Sequence, residues 1–181
     1  SYAHELRPAI ANLNIYEKDN IINATLSIRL NLEAIIAEVN MDHSNTEESK
    51  ESDQYENLRT MGAVELLKKF NSKITNLQNK IYLTSTNSNY SLALLNVDIP
   101  EVGNTEIIRD TIINFDIKNI KDEDLKFSWD KNLGSIILRV NSKSNEGLYS
   151  KLIESGDKSD WFSITNKREE RLIDNVKSYT Q

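Results

Sequence analysis

Two histidines, His4 and His43, are the residues of this chain best suited to bind a metal ion or transfer a proton near neutral pH. A zinc site needs three or four converging ligands, and the chain has no cysteine to supply any of them. His43 lies in a polar stretch and has no partner at the spacing of metal ligands. The sequence therefore predicts no metal site and no cofactor.

Carboxylates and serines form no recognisable catalytic pattern. Acidic groups occur at 122–124 and at Asp157 with Asp160, but neither group has the alternating spacing and central glycine of a calcium loop. No serine lies in a Gly-x-Ser-x-Gly turn, and no cluster of glycines could surround a phosphate. We therefore predict that the chain has no catalytic residues and is not an enzyme.

The first residues of the chain suggest one exception. The run His4-Glu5-Leu6-Arg7-Pro8 is similar to the phosphoacceptor box of sensor histidine kinases, His-Glu-Leu-Arg-Thr-Pro. The helix that precedes the box in those kinases is missing here, and no glycine-rich ATP lid follows. A phosphotransfer protein that uses His4 is thus one hypothesis, and an ordinary exposed histidine at the start of a helix is the simpler interpretation.

Length and charge limit the class of partner. The chain has 181 residues, which fits one domain or a compact domain with a helical extension. Its net charge of -6 disfavours binding to nucleic acids and to anionic membrane surfaces. No apolar run approaches the roughly 18 residues of a membrane-spanning helix. Because the sequence begins at Ser1 without methionine, we expect a signal or a transmembrane anchor upstream.

Apolar residues in the first forty positions recur at spacings of three and four, which is typical of a coiled-coil-like helix. A polar stretch at 17–20 shifts the frame of this seam. We predict one long amphipathic helix or two stacked helices over residues 3–40, followed by an acidic loop at 42–56. A small domain cannot cover such a rod, so part of the seam is expected to contact another chain. The candidate interface residues on it are Leu6, Ile10, Leu13, Ile28, Leu32 and Ile35.

The rest of the chain predicts a compact α+β domain, which divides the protein into segments 1–56 and 57–181. From residue 90 onward the elements follow the ferredoxin-like order β-α-β-β-α-β, which implies an antiparallel sheet with helices on one face. Arg139 lies within an apolar strand, so its side chain should point to the open sheet face, a second candidate docking surface. The predicted helices are 63–77, 105–115 and 145–153, and the predicted strands are 81–86, 90–97, 125–129, 135–140 and 161–164.

Three large aromatic residues, Trp129, Trp161 and Phe162, are possible interface anchors, because aromatic residues dominate binding hot spots. The predicted sheet has few other aromatic side chains to fill its interior. We therefore predict that these three residues belong to the core of the domain.

The element order also resembles the periplasmic part of inner-membrane assembly-platform proteins of type IV pilus and type II secretion systems, above all the fimbrial-assembly component. The segment AVELLKKFNSKI followed by KIYLTST is similar to the helix and first strand of that family's repeat. The segment SIILRVNSKSNEGLYSKLIESG followed by DWFSIT is similar to its strand, helix and terminal strand. The resemblance implies a periplasmic, membrane-anchored scaffold that forms homo- or heterodimers and has no catalytic residues.

Two main functional hypotheses follow. The first is a non-enzymatic scaffold or assembly component that binds other proteins on the periplasmic side of a bacterial inner membrane. The alternative is the extracytoplasmic sensor or ligand-binding domain of a membrane receptor. Both hypotheses expect contact with the membrane only through an upstream transmembrane segment, and a polar pocket would favour the second.

Overall fold

A computed structural model describes residues 7–42 and 51–165 of the chain. Within these ranges strands are the main regular structure and form two β-sheets, and the helices are short. The helices are α1 (Leu32–Ile36), α2 (Glu51–Arg59), α3 (Ala63–Asn71) and α4 (Ile74–Gln78), and a 3₁₀ turn spans Lys131–Leu133. The strands are β1 (Ala9–Lys18), β2 (Ile21–Leu30), β3 (Ile81–Thr84), β4 (Asn89–Tyr90), β5 (Ala93–Asp98), β6 (Thr111–Ile120), β7 (Lys126–Trp129), β8 (Ile136–Ser142) and β9 (Asn145–Ile153).

The larger sheet has six strands in the order β5-β6-β2-β1-β8-β9. Strand β1 runs parallel to β8, and all other neighbouring strands of this sheet are antiparallel. The smaller sheet has three strands in the order β4-β3-β7. Isolated bridges from Phe162 to Leu125 and from Lys158 to Ser128 lie next to β7. The described part of the chain therefore contains more strand than helix.

The predicted N-terminal coiled-coil-like helices are wrong, because residues 9–30 form the hairpin β1–β2 of the large sheet. Along β1, Ala11, Leu13 and Ile15 alternate with polar residues and are buried on one sheet face. Apolar residues in this segment fit the helical spacing and the strand spacing at the same time, so periodicity alone could not separate the two structures.

The polar stretch at 17–20 forms the hairpin turn and does not interrupt a helical seam. Asp19 and Asn20 join paired strands and have positive φ angles of 55° and 63°. A two-residue type I′ turn requires positive φ at both positions, and Asp and Asn tolerate this conformation better than most residues. The Asp19-Asn20 pair thus indicated a β-hairpin in the sequence.

The predicted ferredoxin-like order is also wrong. The segments 105–115 and 145–153, predicted as helices, contribute to strands β6 and β9 instead. In β6, Ile113, Phe115 and Ile117 alternate with less buried residues and lie in the core. Strand β9 follows a tight turn after β8 and returns as its antiparallel partner. The large sheet is mixed and not antiparallel, because β1 and β8 are parallel.

Four other predicted elements are confirmed. The helix predicted at 63–77 corresponds to α3 and α4, and the strands predicted at 81–86, 125–129 and 135–140 correspond to β3, β7 and β8. The acidic loop predicted at 42–56 falls partly outside the described residues, and its last part lies in α2.

One hydrophobic core joins the inner face of the large sheet, the helices and the small sheet. Trp129 is 5% exposed and Phe162 is 3% exposed, which confirms the prediction that both belong to the core. The prediction is wrong for Trp161, which is 47% exposed. The Trp161 ring instead lies 4.5 Å from the Lys126 ammonium, measured to the ring centroid, in a cation–π contact.

Gly134 follows the 3₁₀ turn with φ of +85°, a conformation that L side chains rarely adopt. A Cβ atom added there would lie 2.9 Å from the carbonyl oxygen of Met41. We expect Gly134→Ala to lower the free energy of unfolding by about 2–3 kcal/mol, because backbone strain and steric conflict add. Gly147→Ala is the control, since φ is +79° there but no atom lies within 4 Å of the Cβ position. Equal losses of the two variants in urea denaturation would contradict the close approach to Met41.

Candidate functional site

The large sheet packs one face on the core, and we call the opposite face its open face. Side chains that alternate with the buried ones point to this open face. One row of register partners across it is polar, and Asn114 Nδ2 donates a hydrogen bond of 2.8 Å to Asn96 Oδ1 within the row. Short polar side chains suit a solvated surface. The row consists of Asn96, Asn114, Ser27, Asn12, Arg139 and Ser150.

A second row on the open face is mostly apolar. It begins at Asp98 on β5 and continues through Ile112 on β6, Arg29 on β2, Ile10 on β1 and Ile137 on β8 to Leu152 on β9. We name the five residues from Ile112 to Leu152 the apolar stripe. It crosses five strands, which corresponds to a length of about 19 Å from the usual spacing of strands. Its four aliphatic side chains lie outside the hydrophobic core; Leu152 is 52% exposed, and Ile10, Ile112 and Ile137 are half-buried.

Two arginines on the open face form no ion pair within the described part of the chain. Arg29 within the apolar stripe and Arg139 in the polar row are both exposed, and neither forms an ion pair with any residue in the described ranges. Arg29 and Arg139 lie two strands apart across the sheet and two residues apart along the strand direction. The usual spacings put their Cα atoms roughly 12 Å apart. Arginine is enriched at protein interfaces, and the fully buried centres of interfaces are more apolar than the rest of a protein surface.

The two edges of the large sheet are less suited to pairing with another chain. On β9, Lys151 points to the core side, as Tyr149 and Ile153 do, and its ammonium lies 2.6 Å from Asp160 Oδ2. An inward-pointing charge hinders the addition of a strand. On β5, the register shifts between Leu94 and Asn96, and such a bulge also disturbs pairing. The open face is therefore the better candidate surface.

The interface residues predicted from the N-terminal seam separate into three groups. Leu13, Ile28 and Leu32 are completely buried in the core of this chain. They stabilise its fold and cannot contact a partner protein. Ile10 lies on the apolar stripe, and Ile35 is half-buried at the end of α1. The structure brings Ile10 and Arg139 onto the same open face. Leu6 lies outside the described residues.

Four residues of the apolar stripe were missed in the sequence: Arg29, Ile112, Ile137 and Leu152. The available signal was the pair of adjacent isoleucines in β6 and again in β8. Neighbouring residues of a strand point to opposite faces, so two consecutive isoleucines place an apolar side chain on each face of the sheet. That signal becomes readable only after the segment is recognised as a strand.

A buried charge pair lies between α1 and the segment that connects β5 to β6. The Glu33 side chain is 1% exposed, and its Oε2 lies 3.6 Å from Arg109 Nε, an ion pair too long to be a hydrogen bond. Burial raises the pKa of Glu33, and the positive charge of Arg109 opposes this effect. The Arg109 guanidinium donates to the carbonyls of Leu58 and Met61. Because Glu33 is enclosed, this cluster attaches the connecting segment to the helices and is not a candidate for substrate chemistry.

The two histidines, His4 and His43, lie outside the described residues, so the phosphotransfer hypothesis stays a prediction. In the part of the chain that the structure describes, no group of three or more His, Cys, Asp or Glu residues could hold a metal ion. Within the same residues, no helix has the length and apolar composition needed to cross a membrane.

No protein-family model matches the chain, and no curated protein is significantly similar to it. The resemblance to the assembly-platform family therefore stays a prediction. Of the two segments that carry it, AVELLKKFNSKI with KIYLTST forms α3, α4 and β3. The segment expected to form a strand and a helix, SIILRVNSKSNEGLYSKLIESG, forms the hairpin β8–β9.

Proposed function

We propose that this chain is a non-enzymatic protein-binding module that docks another protein on the apolar stripe. The observation that carries this proposal is the row of four aliphatic side chains outside the core, together with Arg29 and Arg139, which form no ion pair with any described residue. The partner surface has aliphatic or aromatic groups that cover the stripe and acidic groups that pair with Arg29 and Arg139.

Charge and chemistry favour a protein over other partners. An acidic chain repels the phosphates of nucleic acids and the head groups of anionic lipids, whereas two isolated arginines can pair with single carboxylates of a protein surface. The polar row that contains Asn12 and Asn114 lies beside the stripe and provides the solvated rim of such an interface. An assembly scaffold of a pilus or secretion platform is a narrower form of this function, and its support is the resemblance of the sequence alone.

A pair of equally exposed leucines allows a matched test. Leu152 on the stripe is 52% exposed, and Leu95 on the opposite edge strand is 53% exposed. We expect Leu152→Glu to weaken binding of a partner protein by at least about tenfold, since it places a carboxylate at an apolar contact. Leu95→Glu changes the net charge equally and should bind as the wild type does. Arg139→Glu should weaken binding and reduce its dependence on salt.

Candidate partners are first captured from cells with the wild-type chain. Each candidate is then purified, and its affinity for the chain is measured directly. Titration calorimetry with each purified partner compares the wild type with the three variants, after thermal unfolding has shown that all four proteins are folded. A partner that distinguishes Leu152→Glu from Leu95→Glu supports the proposal. Equal affinities of the two variants, or no protein that binds the purified chain directly, would refute it.

A further inference from the structure

A cleft of about 340 Å³ lies between the end of α1, the end of α4 and the 3₁₀ turn, and no residue of the apolar stripe lines it. Its volume is at the lower end of the roughly 300–1,000 Å³ typical of small-molecule sites. Part of its wall is apolar, from Val39, Leu77 and Leu133, and part is polar. This composition suits a ligand with an apolar body and one polar end.

The charges at the cleft are unbalanced. Three charged residues line it: Lys73, Lys80 and Glu38. Two positive charges and one negative charge give the cleft a net charge of +1. Lys73 Nζ lies 3.3 Å from Glu38 Oε1, so these two residues neutralise each other. Lys80 is half-buried and forms no ion pair with any residue of the described ranges. The arrangement therefore has room for one further negative charge.

Glu38 occupies a backbone position that usually belongs to glycine. Its φ is 57°, and α1 ends there with hydrogen bonds from the Glu38 N–H to the Ile35 carbonyl and from the Val39 N–H to the Ala34 carbonyl. This pattern is a Schellman motif, in which glycine at the left-handed position avoids the strain that any side chain causes. Glutamate is present despite the strain, and its carboxylate pairs with Lys73 at the cleft.

The main chain around the cleft is held in place by hydrogen bonds between its walls. The N–H of Lys80 donates to the carbonyl of Leu77, and the carbonyl of Lys80 accepts from the N–H of Asp130, both at 2.9 Å. The N–H of Met41 donates to the carbonyl of Asn132, also at 2.9 Å. The cleft thus exists before any ligand enters, which lowers the entropic cost of binding.

We propose that this cleft binds a small organic monocarboxylate with an aliphatic or aromatic body. The carboxylate pairs with Lys80, and the side-chain amides of Asn76 and Asn132, which have no hydrogen bond to a described residue, are donors for its second oxygen. The body of the ligand lies on the apolar part of the wall. A multiply charged anion such as phosphate is disfavoured, because the Glu38 carboxylate lies at the same cleft. This site is independent of the proposed docking of a protein on the stripe.

Two probes of equal shape and different charge test the proposal, 3-phenylpropionate and its neutral amide, 3-phenylpropanamide. Each is titrated into the full chain and followed by nuclear magnetic resonance of the backbone amides. We expect saturable shifts around α4 and the 3₁₀ turn, with the carboxylate binding at least about tenfold more tightly than the amide. Lys80→Met, which keeps an unbranched apolar side chain, should weaken carboxylate binding about tenfold.

Lys69→Met is the matched control, because Lys69 is exposed on α3 and its replacement changes the net charge equally. It should leave the affinity for 3-phenylpropionate unchanged. The inference is overturned if the acid and the amide bind equally, if Lys69→Met and Lys80→Met lose affinity equally, or if no saturable shift occurs. Thermal unfolding of both variants verifies that the comparison is made between folded proteins.

Discussion

Replacing Glu33 by alanine is expected to lower the free energy of unfolding by about 3–5 kcal/mol. This is the usual loss when one partner of a buried ion pair is removed and the other charge stays buried. The side chains of Glu33 and Arg109 are 1% and 8% exposed, so water cannot solvate the charge that remains. In the variant, the Arg109 guanidinium keeps its hydrogen bonds to backbone carbonyls but loses its counter-charge. Urea denaturation monitored by circular dichroism measures the loss.

The double variant Glu33→Met/Arg109→Met separates the ion pair from the packing of its two side chains. Residues that interact directly show non-additive effects of about 0.5–3 kcal/mol. We expect the double variant to lose less stability than the sum of Glu33→Met and Arg109→Met, since replacing both charges leaves no buried charge alone. An additive cycle would show that the two residues contribute to stability independently.

The pH dependence of the same variants gives a second readout. Burial raises the pKa of Glu33 above its ordinary value of 4.5, and the Arg109 charge opposes the change. Because the folded-state pKa is raised, the contribution of this group to stability is full below the unfolded pKa and is lost as the pH rises through the folded pKa. The stability difference between the wild type and Glu33→Ala should therefore be larger at acidic pH than at neutral pH. A difference independent of pH would contradict the raised pKa.

Trp129→Ala is expected to destabilise the protein by about 3–5 kcal/mol, whereas Trp161→Ala should cost less than about 1 kcal/mol. Trp129 is 5% exposed, fills the core and donates its indole N–H to the Gly134 carbonyl at 2.8 Å. Trp161 is 47% exposed and contacts the Lys126 ammonium. The two substitutions remove the same side chain, so their difference isolates the effect of burial.

Urea denaturation and tryptophan fluorescence verify this prediction together, because the chain has two tryptophans and each variant keeps one. The folded Trp161→Ala protein should emit at shorter wavelength than the folded Trp129→Ala protein, since only its remaining indole is shielded from water. Similar losses of stability in the two variants would mean that Trp161 is also part of a packed structure.

The failure of the helix predictions has a common physical origin. Residues at positions i and i+4 lie on the same face in a helix and in a strand, because four is near the helical period and is a multiple of the strand period. Leu148 and Leu152 have this spacing, and they belong to strand β9. The strands predicted at 81–86 and 135–140 were correct because both segments are short and rich in residues that favour strands, such as Ile, Val, Thr and Tyr. The turn at Asp19 and Asn20 would have resolved the N-terminal case.

The candidate surface was partly accessible from the sequence. Arg139 was predicted to face the open side of a sheet, and Ile10 was among the candidate interface residues. The apolar stripe itself could not be predicted, since its members come from five strands that are distant along the chain and are aligned only by the register of the sheet. The same holds for the cleft, where Glu38 and Lys73 meet through tertiary packing.

The sequence by itself determined the acidic charge, the lack of cysteine and the strong apolar segments that become β3, β7 and β8. These properties depend on composition and on contacts between near neighbours. Only the tertiary structure decided that the N-terminal hairpin pairs with β8 on one side and β6 on the other, because these pairings are non-local and their free energy depends on the partner strand. For the same reason, only the structure decided which apolar residues enter the core and which four remain on the open face.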